Sequence, residues 1–402
     1  MCKAARLSLV LDLGHQPHSD SFPLPEELDR VEVTYPLRLC ICEGCGLLQI
    51  DYFVDPKILY QDDYLYQSST TETGKKHYRD MANVVKEKFS IPQGKFVVDI
   101  GSNVGVLLSG FKEIGFRVLG VDPAKRAVDQ AQKNGIDTVL DFFTADGARR
   151  IRSMHGAADV ITGTNVFAHL HELDDAVVGM RELLAQDGVI VIEAPHALTM
   201  IEGLEYDTIY HQHIAYLSAK PMEMYLKSRG LELFDIDEIS IHGGSLRYYV
   251  GHPHAQRVQK TVSDMIAHEE AHDLYSLERL KKFATDVRMQ KQRLVEMIID
   301  LKKQGKRIIA LSAPAKGNTL LNYCHLDRDY LEYATEKNPL KVGRFTPGMH
   351  IPIYSDEKIL EDQPDYALIL AWNFSDEIIA NMSEYRMRGG KFIIPIPEPS
   401  VV

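Results

Sequence analysis

The stretch EYDTIYHQHIAYLS sets Tyr210, His211, Gln212 and His213 side by side. A neutral imidazole is a base that works near pH 7, and a phenol or second imidazole can hydrogen-bond a developing oxyanion. Together they could remove a weakly acidic proton beside a carbonyl. In an extended segment His211 and His213 share one face while Tyr210 and Gln212 share the other, so only one pair reaches a substrate unless the backbone turns. His169, in NVFAHL at the end of an expected strand, is a further candidate at the same edge, with helix capping or packing as its competing role.

A second group of residues reads as a cofactor site. VVDIGSNVGVLLSGF has the form strand, glycine turn, helix. Gly101 and Gly105 allow a tight turn and close backbone approach to a ligand. A dinucleotide loop would want a third glycine where Asn103 stands. Asp122, in VLGVDP, falls at the carboxyl end of the next strand, where a carboxylate can accept both hydroxyls of a ribose. Asp99 could take an ammonium group, and the expected set also takes in Pro123 and Asn165. A ligand with a ribose, an ammonium and a carboxylate but no phosphate describes S-adenosylmethionine.

Two further groups concern a metal and an anion. Cys42 and Cys45 in CEGC have the gap that turns two thiolates on one metal ion, and Cys2 is a third candidate ligand. Cys40, His15 or His18 could supply a fourth. In ALSAPAKGNTLLNY, Lys316 stands at a turn and Asn318 in the helix it opens, an arrangement suited to anions. Lys341, Arg344 and His350 in NPLKVGRFTPGMHIP add cations that could grip a diphosphate.

The elements that must position these residues follow from the hydrophobic pattern. A chain of 402 residues is long enough for two or three domains. Residues 1–75 are irregular and suit a small metal-stapled module. Residues 76–255 alternate strand and helix, as in a parallel sheet, and end in the hairpin pattern LELFDIDEISIHGGSLRYYVGH. Residues 256–304 read as a polar helical linker, and 305–402 as a second α/β domain. The net charge of −12 argues against a nucleic-acid partner. No apolar run approaches the roughly 20 residues needed to span a bilayer. With few cysteines and no signal-peptide pattern, a cytoplasmic location is expected.

The pattern DIGSNVG, GVDP, TNVFAHL, YDTIYHQHIAYLS, HGGSLRYYV, APAKGNTLLNYC and NPLKVGRFTPGMHIPI resembles the zinc-containing sugar C-methyltransferases that act on nucleotide-linked 4-keto-deoxysugars. The likeness runs over essentially the whole chain. It implies a zinc module, a class I methyltransferase domain of Rossmann-like form and a second Rossmann-like domain that helps hold the sugar nucleotide. It also implies that His213 is the base, that Tyr210 positions the sugar, and that Tyr66 and Ser68 in YQDDYLYQSS contact the cofactor. The family's motif carries Glu where this chain has Gln212, so a role as proton acceptor is closed to that residue. Methyl transfer to oxygen or nitrogen, or sugar-nucleotide binding without catalysis, are the competing readings.

Overall fold

A computed structural model describes residues 1–4, 6–60 and 72–402. Tyr66 and Ser68 lie outside the described residues. The apolar strands and amphipathic helices of the sequence assemble into three sheets.

The largest sheet has seven strands, in the spatial order Glu232–Ile239, Ser245–Gly251, Leu184–Pro195, Ala158–Thr164, Phe96–Ile100, Arg117–Asp122, Thr138–Leu140. Its central strand FVVDI is buried at every position, because helices cover both faces of the parallel part. The expected hairpin is present, and its second strand inserts antiparallel against Leu184–Pro195. The strand order reverses beside Phe96–Ile100, and crevices at such switch points hold ligands beyond the carboxyl ends of strands.

The C-terminal sheet runs Ile353–Ser355, Ala334–Glu336, Ile308–Leu311, Tyr366–Ile369, Lys391–Ile394, Ser400–Val401, parallel except for its last strand. The N-terminal sheet is antiparallel: Leu7–Pro17, Thr34–Cys42 and Leu48–Ile50, with Ala215–Tyr216 as its fourth strand. That last strand follows His213 directly, so the N-terminal module anchors the histidine segment.

The segment expected to be a polar linker forms two helices, Lys260–Ala271 and Leu277–Lys303. The longer one is a core element as well as a connection. Leu280, Phe283, Ala284, Val287, Leu294 and Ile298 form a buried stripe at helical spacing, flanked by charged residues that gave the sequence its polar look. This stripe shares one apolar core with Leu11 and Leu39 of the N-terminal sheet, Tyr206 and Ile209, and Ala310 and Leu320 of the C-terminal domain. Each fully buried large side chain contributes about 1.5–3 kcal/mol. The chain's two ends are therefore packed together although nearly the whole sequence separates them.

Candidate active site

A cavity of about 420 Å³ lies between the seven-stranded and C-terminal sheets. Loops at the carboxyl ends of strands from both sheets line it, and it contains most of the residues singled out above.

The glycine loop forms one wall. Gly101 (φ +67°) and Gly105 (φ +81°) both occupy the left-handed region, as does Asn103 (φ +48°). A Cβ on Gly101 would lie 2.7 Å from Val166, so only glycine fits. Asp122 is buried, and its two oxygens accept the Asn103 and Ala124 backbone N–H groups, each at 2.8 Å. It thus shapes the loop, and each carboxylate oxygen retains acceptor capacity for a ribose hydroxyl. Asp99 accepts the Thr162 hydroxyl at 2.6 Å. Burial pushes its carboxyl up to about 7, with the neighbouring Asp122 adding to the rise. Asn165 adopts φ +55°, and its buried Oδ1 has no hydrogen-bond partner among the described residues. Asp99, Gly101, Asn103, Asp122, Pro123 and Asn165 all line the cavity. Gly105 serves as the helix N-cap behind it. The buried carboxylates and the orphaned Asn165 oxygen fit a ligand rich in donors, as S-adenosylmethionine is.

The opposite wall carries the histidine segment, which is not extended. The His213 N–H donates to the Tyr210 carbonyl at 2.9 Å, closing a turn. Tyr210, Gln212 and His213 consequently all line the cavity. His211 points away, donating to Pro36 O at 3.2 Å, and burial lowers it to about 4. His213 Nδ1 lies 2.9 Å from the Thr208 carbonyl, which can only accept, so Nδ1 carries the proton. In the neutral ring Nε2 is then the acceptor, and the Tyr210 hydroxyl donates to it at 2.7 Å.

His169 sits 4.9 Å from His213 between ring centroids, because the Ile214 N–H donates to Ala168 O. Its Nδ1 meets the Tyr60 hydroxyl at 3.2 Å, while its Nε2 is buried without a partner among the described residues. Burial, then His213 and His171, hold it well below the ordinary histidine range. A ring so held stays neutral and can donate from Nε2.

Gln212 is nearly inaccessible. Its Oε1 accepts from Ser19 Oγ at 3.1 Å and its Nε2 donates to Asp20 Oδ2 at 2.8 Å. Asp20 and Tyr60 are cavity residues that sequence reading missed; no motif flagged them, since each meets its partner only through the tertiary fold.

The expected diphosphate cations divide. Lys316 and Lys341 line the cavity. Lys316 sits 3.9 Å above the Trp372 ring and 3.8 Å from Asp207, and burial lowers its pKa despite that partner. Lys341 donates to Ala313 O at 2.8 Å. Asn318, Arg344 and His350 are not among the lining residues. Their partners are in the N-terminal module: Asn318 Nδ2 donates to Ser19 O, an Arg344 N–H to Phe22 O, and His350 meets Glu32 at 2.9 Å. These three strap the two ends of the chain together.

Cys2, Cys42 and Cys45 bring their sulfurs within 4.8 Å of one another. Zinc thiolates at Zn–S of 2.3 Å in tetrahedral array lie about 3.8 Å apart, so three soft donors here fit that ion. Gly44 permits the approach, since a Cβ there would meet Cys2 Sγ at 3.2 Å. The fourth ligand is not Cys40, His15 or His18, none of which joins the group. Cys40 packs by Asp51, His15 is exposed on its strand, and His18 is buried beside Asp20.

Residues 1–60 match a family model described as "Putative zinc binding domain", residues 75–236 one described as "Methyltransferase domain", and residues 240–397 one described as "C-methyltransferase C-terminal domain". The chain is 32% identical to C-methyltransferase NovU of Streptomyces niveus over 394 residues, covering 98% of this chain and 94% of that protein. It is 23% identical over 175 residues to a ubiquinone biosynthesis O-methyltransferase of Nitrosococcus oceani, covering 39% of this chain and 72% of that one. Magnesium protoporphyrin IX methyltransferase from Synechocystis PCC 6803, solved with bound SAM, matches 44% of this chain and 78% of its own at 15% identity, with a TM-score of 0.33. The three matched segments and the near full-length likeness make the protein an S-adenosylmethionine-dependent methyltransferase. It belongs to the zinc-containing sugar C-methyltransferase family.

Proposed function

We propose that this protein methylates the carbon next to the ketone of a nucleotide-linked 4-keto-deoxysugar. The observation that carries the reading is the His213 ring: Thr208 O holds its Nδ1 proton, which turns the basic Nε2 toward the cavity edge shared with Tyr210. Asp99, Asp122 and Asn165 would hold S-adenosylmethionine, with Gly101 and Asn103 giving it backbone access. When bound, that cofactor supplies an electrophilic methyl group.

The chain's own residues do the rest. With the sugar in place, the Tyr210 hydroxyl turns from Nε2 to the ketone oxygen. Nε2 of His213 then takes the proton from the neighbouring carbon. The C–H electron pair spreads onto the oxygen, where Tyr210 and the Nε2–H of His169 donate to the growing negative charge. That pair would form the new C–C bond to the donated methyl group, while the electrons of the broken S–CH3 bond stay on the departing sulfur. Lys316, Lys341 and the loop following Ala334–Glu336 would face the nucleotide end of the substrate.

Incubation with a panel of keto-sugar nucleotides and isotopically labelled methyl donor tests the reading. Carbon-bound label in a sugar product, located by NMR, is the expected result. Label on oxygen or nitrogen, or none on any keto sugar, would overturn it.

A further inference from the structure

Asp20 lies in the N-terminal module yet lines the central cavity with Tyr210, His213 and Lys316. It is only 4% exposed. One carboxylate oxygen accepts from the Gln212 amide; the other, Oδ1, is shielded from solvent and has no hydrogen-bond partner among the described residues. Among the described residues no lysine or arginine forms an ion pair with it, and burial lowers the pKa of the neighbouring His18. A carboxylate buried with an unanswered oxygen and no cation is costly, and a ligand that brings a donor offsets the cost.

The surroundings fix the direction of this group. Gln212 Oε1 accepts from Ser19 Oγ, so its nitrogen end must face Asp20. The Ser19 carbonyl is held in turn by Asn318 of the C-terminal domain at 2.7 Å. Glutamate at residue 212 would set two carboxylates against each other across this contact. An amide there suits a carboxylate at residue 20.

We propose that Asp20 is a substrate-binding residue, accepting a hydrogen bond from a hydroxyl or ammonium group on the sugar ring, and that Gln212 positions it. This rests on the sugar-nucleotide reading above. The test compares Asp20→Asn, Gln212→Glu and the exchanged double variant Asp20→Asn/Gln212→Glu with the parent protein. Calorimetry without methyl donor measures affinity for the keto-sugar nucleotide that the parent methylates, and separately for S-adenosylhomocysteine. A charge-assisted hydrogen bond predicts a loss of about 10–100-fold in sugar-nucleotide affinity for Asp20→Asn, with S-adenosylhomocysteine binding unchanged. The double variant, which keeps one carboxylate and one amide in contact, should recover most of that loss. An analogue lacking the ring donor should bind the parent and Asp20→Asn alike.

Parental sugar-nucleotide affinity in Asp20→Asn, or a double variant as weak as the single one, overturns the inference and leaves the function standing. A parent protein that neither binds nor methylates any keto-sugar nucleotide sinks both. Should Asp20→Asn fail to fold, the parent's preference for the donor-bearing sugar over its analogue decides the matter, and equal affinity for the two refutes the role.

Discussion

The Tyr210 hydroxyl and His213 Nε2 lie 2.7 Å apart, three residues from each other on one closed turn. Phenol and base thus share a proton position, and whatever draws the hydroxyl away exposes the basic nitrogen. Tyr210→Phe removes the donor but leaves Nε2 accessible. It should lower kcat by about 10²–10³-fold, the scale of losing one oxyanion donor. Sugar-nucleotide affinity should change far less, and steady-state kinetics on the methylated substrate separates the two effects.

Asp99 predicts a pH dependence for the cofactor. Burial raises its carboxyl to about 7, so below that pH the free protein holds a proton there. A ligand ammonium favours the carboxylate, so binding expels that proton. Affinity for S-adenosylmethionine should therefore rise with pH up to about 7 and level off above it, with a limiting slope of about tenfold per unit on the acid side. Asp99→Asn should bind more weakly and show a flat profile by calorimetry.

The metal module supports the histidine segment through the strand Ala215–Tyr216, paired with Leu48–Ile50. The protein should carry one zinc ion per chain. Cys45→Ser should lower the zinc content, measured by metal analysis, and the melting temperature with it. A structural zinc site contributes folding free energy directly. Chelation should reproduce both effects in the parent protein.

His211 is a packing residue in spite of its neighbours. Burial lowers it from 6.5 to about 4. The unfolded chain therefore binds its proton first, and the stability that His211 contributes is complete above pH 6.5 and lost as pH falls toward 4. The loss is on the order of 3 kcal/mol. His18 and His169 shift in the same direction, so acid destabilisation is shared among them. His211→Gln should reduce the acid-side loss by that amount in urea titrations at several pH values.

Local pattern made the glycine loop, the strand–helix alternation and the hairpin legible, because each depends on residues close in sequence. The turn at Tyr210–His213 was not legible, since it arises where the segment is pinned between Ala168 O and Ile50 N, far apart in the chain. The same holds for Asp20, which meets Gln212 only once the N-terminal sheet has packed. Lys316 and Lys341 line the cavity. Arg344 and His350 stand on the same loop as Lys341 but face Phe22 and Glu32, and charge alone could not distinguish a diphosphate from a partner in the protein.

The central claim is that His213 removes a proton from carbon. The direct measurement is uptake of deuterium from solvent into the keto sugar, followed by NMR without methyl donor, for the parent protein and His213→Asn. General base catalysis predicts exchange by the parent and a rate at least about 10²-fold lower in the variant, with S-adenosylhomocysteine affinity retained. Exchange by His213→Asn at the parental rate would contradict it.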